Sequence, residues 1–256
     1  MKIHHEELAE IQRYIDNQKP YGLQGKAGHY ERYLRFIGRA RKVDSDTRML
    51  EVGTGTGWFP LLCKANGLRC KGLEISPQLI QAAMKLGAEN GIEPDLELGN
   101  VEDTDIGTEE YDVIVASSIF EHVERWRDGL TRIYRALRPG GVLFFESTNK
   151  FSLKPTEHPM PFYGWMPDRL RYRFRIMTQG PEIMKLGIDF HQFRYPQLRR
   201  ALREIGFRTI LDAVDLSDLG QLRGLKRALM TAAKRNALAR SILLTFMDAT
   251  TLVCTK

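Results

Sequence analysis

Met49 to Trp58 reads M-L-E-V-G-T-G-T-G-W, and the glycines at Gly53, Gly55 and Gly57 decide the fold. The residues before them, Arg48 to Val52, form a short apolar run with strand character. Those after them, Trp58 to Asn66, read as a helix with Pro60 in its first turn and Gly67 closing it. A glycine loop between a strand and a helix leaves bare backbone N–H groups at the helix N-terminus, where a ligand approaches without meeting a Cβ. The spacing is G-x-G-x-G. A dinucleotide fingerprint needs its third glycine where Trp58 stands, and no G-K-[ST] follows, which excludes a P-loop.

Working outward, strand and helix alternate. Amphipathic helices are expected over residues 6–17 and 28–40, joined by a mobile connector from Tyr21 to Gly28. Strands follow at Arg69 to Ile75, Asp95 to Leu98, Tyr111 to Ser117 and Val142 to Glu146. The intervening helices begin at the Ser76-Pro77 cap and near Asp128. This rhythm implies an α/β fold with a mostly parallel sheet covered on both faces, because right-handed crossovers put helices there. Residues 148–190 interrupt it with five prolines and the run R-L-R-Y-R-F-R, and read as an inserted cap. Alternation resumes with a helix from Tyr195 to Ile205, a strand near Phe207 to Val214, one helix from Leu222 to Leu238, and a last strand, T-T-L-V-C-T-K, which makes seven strands. We therefore expect a single domain, with N-terminal helices in 1–44, a ligand-binding core in 45–147, a cap in 148–194 and the rest of the sheet in 195–256.

With 256 residues, 43% hydrophobic and 27% charged, the chain has enough apolar surface for a sizeable core. No apolar run approaches the roughly 20 residues of a membrane span, and the N-terminus lacks a signal peptide's apolar stretch, so a cytoplasmic protein is expected. Cys63, Cys70 and Cys254 form no CxxC pair, and His4-His5 with scattered carboxylates give no ligand spacing, so no metal is expected. The net charge of +6 is unevenly placed: residues 150–256 hold 19 Lys and Arg against 9 Asp and Glu, while residues 1–149 hold 19 against 23. A basic C-terminal part suits an anionic or lipid-like acceptor, a peripheral contact with an anionic membrane or a nucleic acid, and equally a plain solvated surface.

E-V-G-T-G-T-G resembles the first motif of class I S-adenosylmethionine (SAM) dependent methyltransferases, and four further landmarks follow in order. Glu74 ends the second strand 17 residues after Gly57, where the family places an acid on the ribose hydroxyls. Gly99-Asn100-Val101-Glu102-Asp103 stands where the family has G-D-A-E-D, with Asn100 replacing the Asp that approaches the adenine amino group. Glu121-His122-Val123 resembles the family's E-H-V, and Arg138-Pro139-Gly140-Gly141 its L-K-P-G-G turn. The resemblance is dense over residues 45–150. It implies a Rossmann-like seven-stranded fold, the small-molecule or quinone-pathway type of enzyme, SAM as cofactor, and cofactor contacts from Glu51, Gly53, Thr54, Gly55, Gly57, Glu74, Ile75, Asn100, Val101 and Ser117.

The reaction expected is an in-line displacement of the methyl group onto a small-molecule acceptor, most simply at oxygen. A protonated nucleophile needs a base, and His122, after the fourth strand, is the candidate; packing over the cofactor is its other reading. His158, Trp165 and His191, in or beside the cap, are candidates for substrate contact. Arg169, Arg171, Arg173 and Arg175 either rim an apolar pocket or alternate along an exposed strand. Tyr30 and Tyr33 either fold a helix over the cofactor or belong to the core. The helix bearing Leu222, Leu225, Leu229 and Ala233 either faces the core or lies on a membrane. RNA or protein methylation and a non-catalytic SAM-binding scaffold are the alternatives. Nothing resembles an RNA-binding module, and S-S-I-F follows the fourth strand where amino-group enzymes commonly carry N/D-P-P-Y/F.

Overall fold

The computed structural model describes residues 3–153, 160–186 and 190–256. Two helices, α1 (Ala9–Gln18) and α2 (Ala27–Ile37), precede the alternating part. It runs β1 (Arg48–Val52), α3 (Trp58–Ala65), β2 (Arg69–Glu74), α4 (Pro77–Glu89), β3 (Asp95–Leu98), β4 (Tyr111–Ser117), α5 (Trp126–Ala136) and β5 (Leu137–Thr148). Then come α6 (Asp168–Gln179), α7 (Tyr195–Ile205), β6 (Thr209–Asp212), the single turn α8 (Ala213–Leu216), α9 (Gly224–Arg235), α10 (Ala237–Phe246) and β7 (Ala249–Thr255). The seven strands form one sheet in the order β3-β2-β1-β4-β5-β7-β6, parallel from β3 to β5, with β7 antiparallel to both its neighbours.

Side chains alternate across the sheet, as strand geometry requires. In β4, Val113 and Val115 face a cluster with Tyr33, Ile37, Phe59 and Phe144, while Ile114 and Ala116 face one with Phe120, Leu130, Phe145 and Leu198. Both faces are thus dry, which explains the continuous apolar runs of β1, β4 and β5. Register brings the strand ends together: Val52 pairs with Leu73 and Ala116, and Ser117 with Glu146. The chain leaves β1 in one direction and resumes at β4 in the other. That switch point, at the carboxyl ends, is where open α/β sheets bind ligands.

Four local readings of the sequence change. The connector after α1 is not open chain: it holds two 3-10 turns, Lys19–Tyr21 and Gln24–Lys26, around buried Leu23. The cap arginines lie on a helix, α6, and not on an exposed strand. At helical spacing Arg171 and Arg175 share a buried face, one turn apart, while Arg169 and Arg173 point outward, so the period-2 alternation in sequence becomes two different faces. The expected helix from Leu222 to Leu238 is two helices. The backbone is extended at Asn236, whose side chain accepts the Ala239 N–H and caps α10. Ala233 is buried, but Leu225 and Leu229 of the same helix are exposed, so α9 is not the core-facing stripe that its spacing suggested. Tyr30 and Tyr33 are buried, both packing on Phe59.

Candidate active site

The glycine loop turns because three successive odd positions adopt left-handed backbone, with φ of +70° at Gly53, +58° at Gly55 and +71° at Gly57. All three also have neighbours that leave little room for a side chain. A Cβ on Gly53 would lie 2.4 Å from Ile119 Cδ1, and one on Gly55 would lie 3.3 Å from the Tyr14 hydroxyl. Gly53, Thr54 and Gly55 line a cavity of ≈ 840 Å³ at the switch point, inside the roughly 300–1,000 Å³ range of small-molecule sites. Gly57 lies behind the loop as the N-cap of α3, where a Cβ would meet Ala83 at 2.7 Å. Its role in the structure is helix entry, outside the cavity lining.

Two buried carboxylates stand at one end of this cavity. Glu51, on β1, accepts the Thr54 hydroxyl hydrogen bond. Glu74, at the end of β2, accepts backbone N–H groups from Gly55 at 2.8 Å, Ile75 at 2.9 Å and Ser76 at 3.0 Å. Burial pushes the Glu51 carboxyl up to about 8, against the Thr54 hydrogen bond and with repulsion from Glu74 added. Burial likewise lifts Glu74 to about 7, the three backbone donors partly offsetting it. No cation is among the influences on either group. Two carboxylates so placed suit a ligand that brings an ammonium and hydroxyl donors.

Ile75, Asn100 and Val101 extend the same wall. The Asn100 side chain is largely committed to its own loop: its Oδ1 accepts the Glu102 N–H at 3.0 Å and its Nδ2 donates to Glu102 at 3.1 Å.

At the other end of the cavity the walls come from four elements. Ser117 ends β4, and its hydroxyl lies 2.6 Å from the Tyr33 phenol of α2. Arg32, beside Tyr33, grips Glu146 of β5, which also accepts from Thr251 of β7. Ser118 has φ of +53°, a left-handed conformation uncommon for a residue with a side chain, at the point where the chain leaves the sheet for the cavity rim. His122 follows in a 3-10 turn, Phe120–His122; it lines the cavity, and its Nδ1 is buried without a hydrogen-bond partner.

The structure thus brings Glu51, Gly53, Thr54, Gly55, Glu74, Ile75, Asn100, Val101, Ser117 and His122 to one cavity. It does not bring Trp165 or His191 there. Trp165 packs edge-on to Phe151 and Phe162, with its indole N–H on the Ser152 carbonyl at 3.2 Å. His191 is tied by Nε2 to the Glu124 carbonyl at 2.8 Å. His158 lies outside the described residues. Of the four cap arginines only Arg175 reaches the cavity lining. Among the lining residues that sequence reasoning passed over are Tyr14 of α1, Lys26 just before α2, His29 and Arg32 of α2, Trp58 of α3 and Glu146 of β5. Amphipathic spacing marked those helices, but nothing local marked their polar positions as facing a cavity.

A sequence model of methyltransferase domains matches residues 25–226, most of the chain. Ubiquinone biosynthesis O-methyltransferase of Xanthomonas oryzae pv. oryzae (strain PXO99A) is 28% identical over 112 residues, covering 43% of this chain and 47% of that protein. Malonyl-[acyl-carrier protein] O-methyltransferase of Serratia marcescens is 26% identical over 107 residues, 42% of this chain and 40% of that one. The chain therefore spans less than half the length of these relatives. Among solved structures, an S-adenosylmethionine dependent methyltransferase from Mesorhizobium loti superposes with a TM-score of 0.57 at 16% identity, over 86% of this chain and 95% of that one. The chain belongs to the methyltransferase-domain family, and its fold is that of the SAM-dependent methyltransferases.

Proposed function

We propose that the protein transfers a methyl group from SAM to a hydroxyl oxygen of a small-molecule acceptor. One observation carries this: a single cavity joins the carboxylate pair Glu51 and Glu74 to the Ser117 and His122 end, so that donor and acceptor share one space at the switch point. The glycine loop and the carboxylates fit the cofactor, which when bound supplies a methyl group already activated on a sulfonium. Glu51 holds the ammonium of its amino-acid end, Glu74 its ribose hydroxyls, and the Gly53–Gly55 backbone lies against it without side chains.

The chain's work is mostly alignment and exclusion of water, which supplies on the order of 7–11 kcal/mol in well-oriented reactions. His122, which lines the cavity at this end, takes the proton of the acceptor hydroxyl. The fork between Arg32 and Glu146 and the contact between Tyr33 and Ser117 fix the wall against which the acceptor rests. Oxygen as the acceptor atom is supported by the relatives, both named as O-methyltransferases, and by the absence of an N/D-P-P-Y/F segment after β4.

The test has two stages. Calorimetry with SAM should show one site, abolished in Glu51→Gln. Radiolabelled SAM with fractionated cell extract should then place label in an alkali-stable, small-molecule or lipid product. Label entering RNA or protein instead, or no heat on mixing, sinks the reading.

A further inference from the structure

The cations that line the cavity are not equally compensated. Arg32 holds Glu146, Arg13 holds Glu10 at 2.8 Å, and Lys185 holds Glu6 at 2.8 Å. Lys26 has no such partner: its Nζ donates to the neutral side-chain carbonyl of Gln18 and lies 5.6 Å from the centroid of the Tyr21 ring. Half-buried, it has its ammonium pushed down from the usual lysine range by burial. His29, one turn further on, also lines the cavity. It is held below its ordinary value by burial first, and then by the charges of Arg32 and Lys26, with only Glu146 acting the other way. That carboxylate is already bidentate to Arg32.

Lys26 immediately precedes α2, and His29 and Arg32 follow at three-residue spacing, so this edge of the cavity carries two cations, a histidine and the carboxylate of Glu146, which is already engaged. Trp58 adjoins it, its ring centroid 6.3 Å from that of His29. A half-buried lysine ammonium without an anion is disfavoured in the free protein; a ligand bringing one relieves it and offers the His29 ring beside it a partner for its protonated form.

We propose that Lys26 and His29 form a subsite for an anionic group on the methyl acceptor, a carboxylate or a phosphate monoester, with Trp58 as the apolar wall beside it. The proposal rests on the methyl-transfer reading and narrows its substrate class. The acceptor is an acid carrying its hydroxyl nucleophile at one end and its charge at the other. Lys26 and His29 bind and orient it, and take no part in the bond change.

The experiment follows the His29 ring protons by NMR titration, assigned with His29→Gln, with and without S-adenosylhomocysteine. Three probes of one shape are added: 3,4-dihydroxybenzoate, 2-hydroxyphenyl phosphate and uncharged catechol. At least one anionic probe should raise the His29 pKa by about half a unit or more while catechol leaves it unchanged. Lys26→Gln should weaken that anion's binding about tenfold or more, as loss of a charge-assisted contact does, with S-adenosylhomocysteine affinity unchanged. Whichever anion binds tighter identifies the group. The proposal is overturned if neither anion moves His29, if catechol moves it equally, or if Lys26→Gln binds the anion as the unaltered chain does. Failure of S-adenosylhomocysteine to bind would count against the methyl-transfer reading instead, and the titration without it still decides the anion.

Discussion

Arg32 of α2 and Glu146 of β5 meet as a fork, Nη1 to Oε2 at 2.7 Å and Nη2 to Oε1 at 2.8 Å, and so bolt an N-terminal helix to the middle of the sheet. The Glu146 side chain is only 13% exposed. Arg32→Ala leaves it with hydroxyl donors alone, Ser117 at 3.4 Å and Thr251 at 2.9 Å. We expect a stability loss on the order of 1–3 kcal/mol, read from the urea midpoint. Arg32→Lys should recover only part of it, because an ammonium cannot make two parallel bonds. Equal stability of all three proteins would show that the fork does not hold α2.

The raised carboxyl of Glu51 sets a pH dependence whose sign can be worked out. Folded, it keeps its proton up to about 8; unfolded, it releases it near 4.5. The folded state therefore binds more protons in that window, and its stability falls as pH rises through it. His29, lowered on folding, works in the opposite direction around 6.5. Glu51→Gln should reduce the first slope, leaving the share that Glu74 contributes up to about 7, and should leave the second. Since the ionised carboxylate is the form that holds an ammonium, SAM affinity in the unaltered protein should rise toward pH 8, by up to about tenfold per unit. Calorimetry at pH 6, 7 and 8 checks it, and a flat profile refutes the assignment of Glu51.

His122→Gln separates base catalysis from packing. As a base, its loss should lower kcat by about 10²–10⁴ and remove the acidic limb of the pH–rate profile, with SAM affinity kept. A fall in SAM affinity with the profile intact would make it a packing residue.

Asn236→Ala tests the break between α9 and α10. Removing the cap on Ala239 should cost ~1 kcal/mol without altering cofactor affinity. An unchanged thermal midpoint would mean that packing, not the cap, starts α10.

The parallel half of the sheet and the glycine-loop end of the cavity were legible in the sequence for a physical reason. A backbone that must turn three times through left-handed φ needs glycine, and Glu74 must end the neighbouring strand; both constraints are local. The opposite end is assembled from Arg32, Ser117 and Glu146, which are remote in sequence, and only the register of β4 against β5 and the seat of α2 bring them together. The cap misled because arginines at every second position read as a strand, whereas α6 uses Arg171 and Arg175 on its inner face. The break at Asn236 did have a signal, an Asn before an apolar run, that the amphipathic spacing obscured.

Tyr14 lies over Gly55, and the helix that carries it buries one residue, Ile15. Beyond that, α1 is tied to α4 through Gln78, which takes the Leu8 N–H at 3.1 Å and donates to Gln12 at 3.2 Å. The wall over Gly55 is thus fastened through few contacts, and on the methyl-transfer reading Gln78→Ala, well away from the carboxylate pair, is expected to shorten the residence of whatever lies beneath Tyr14.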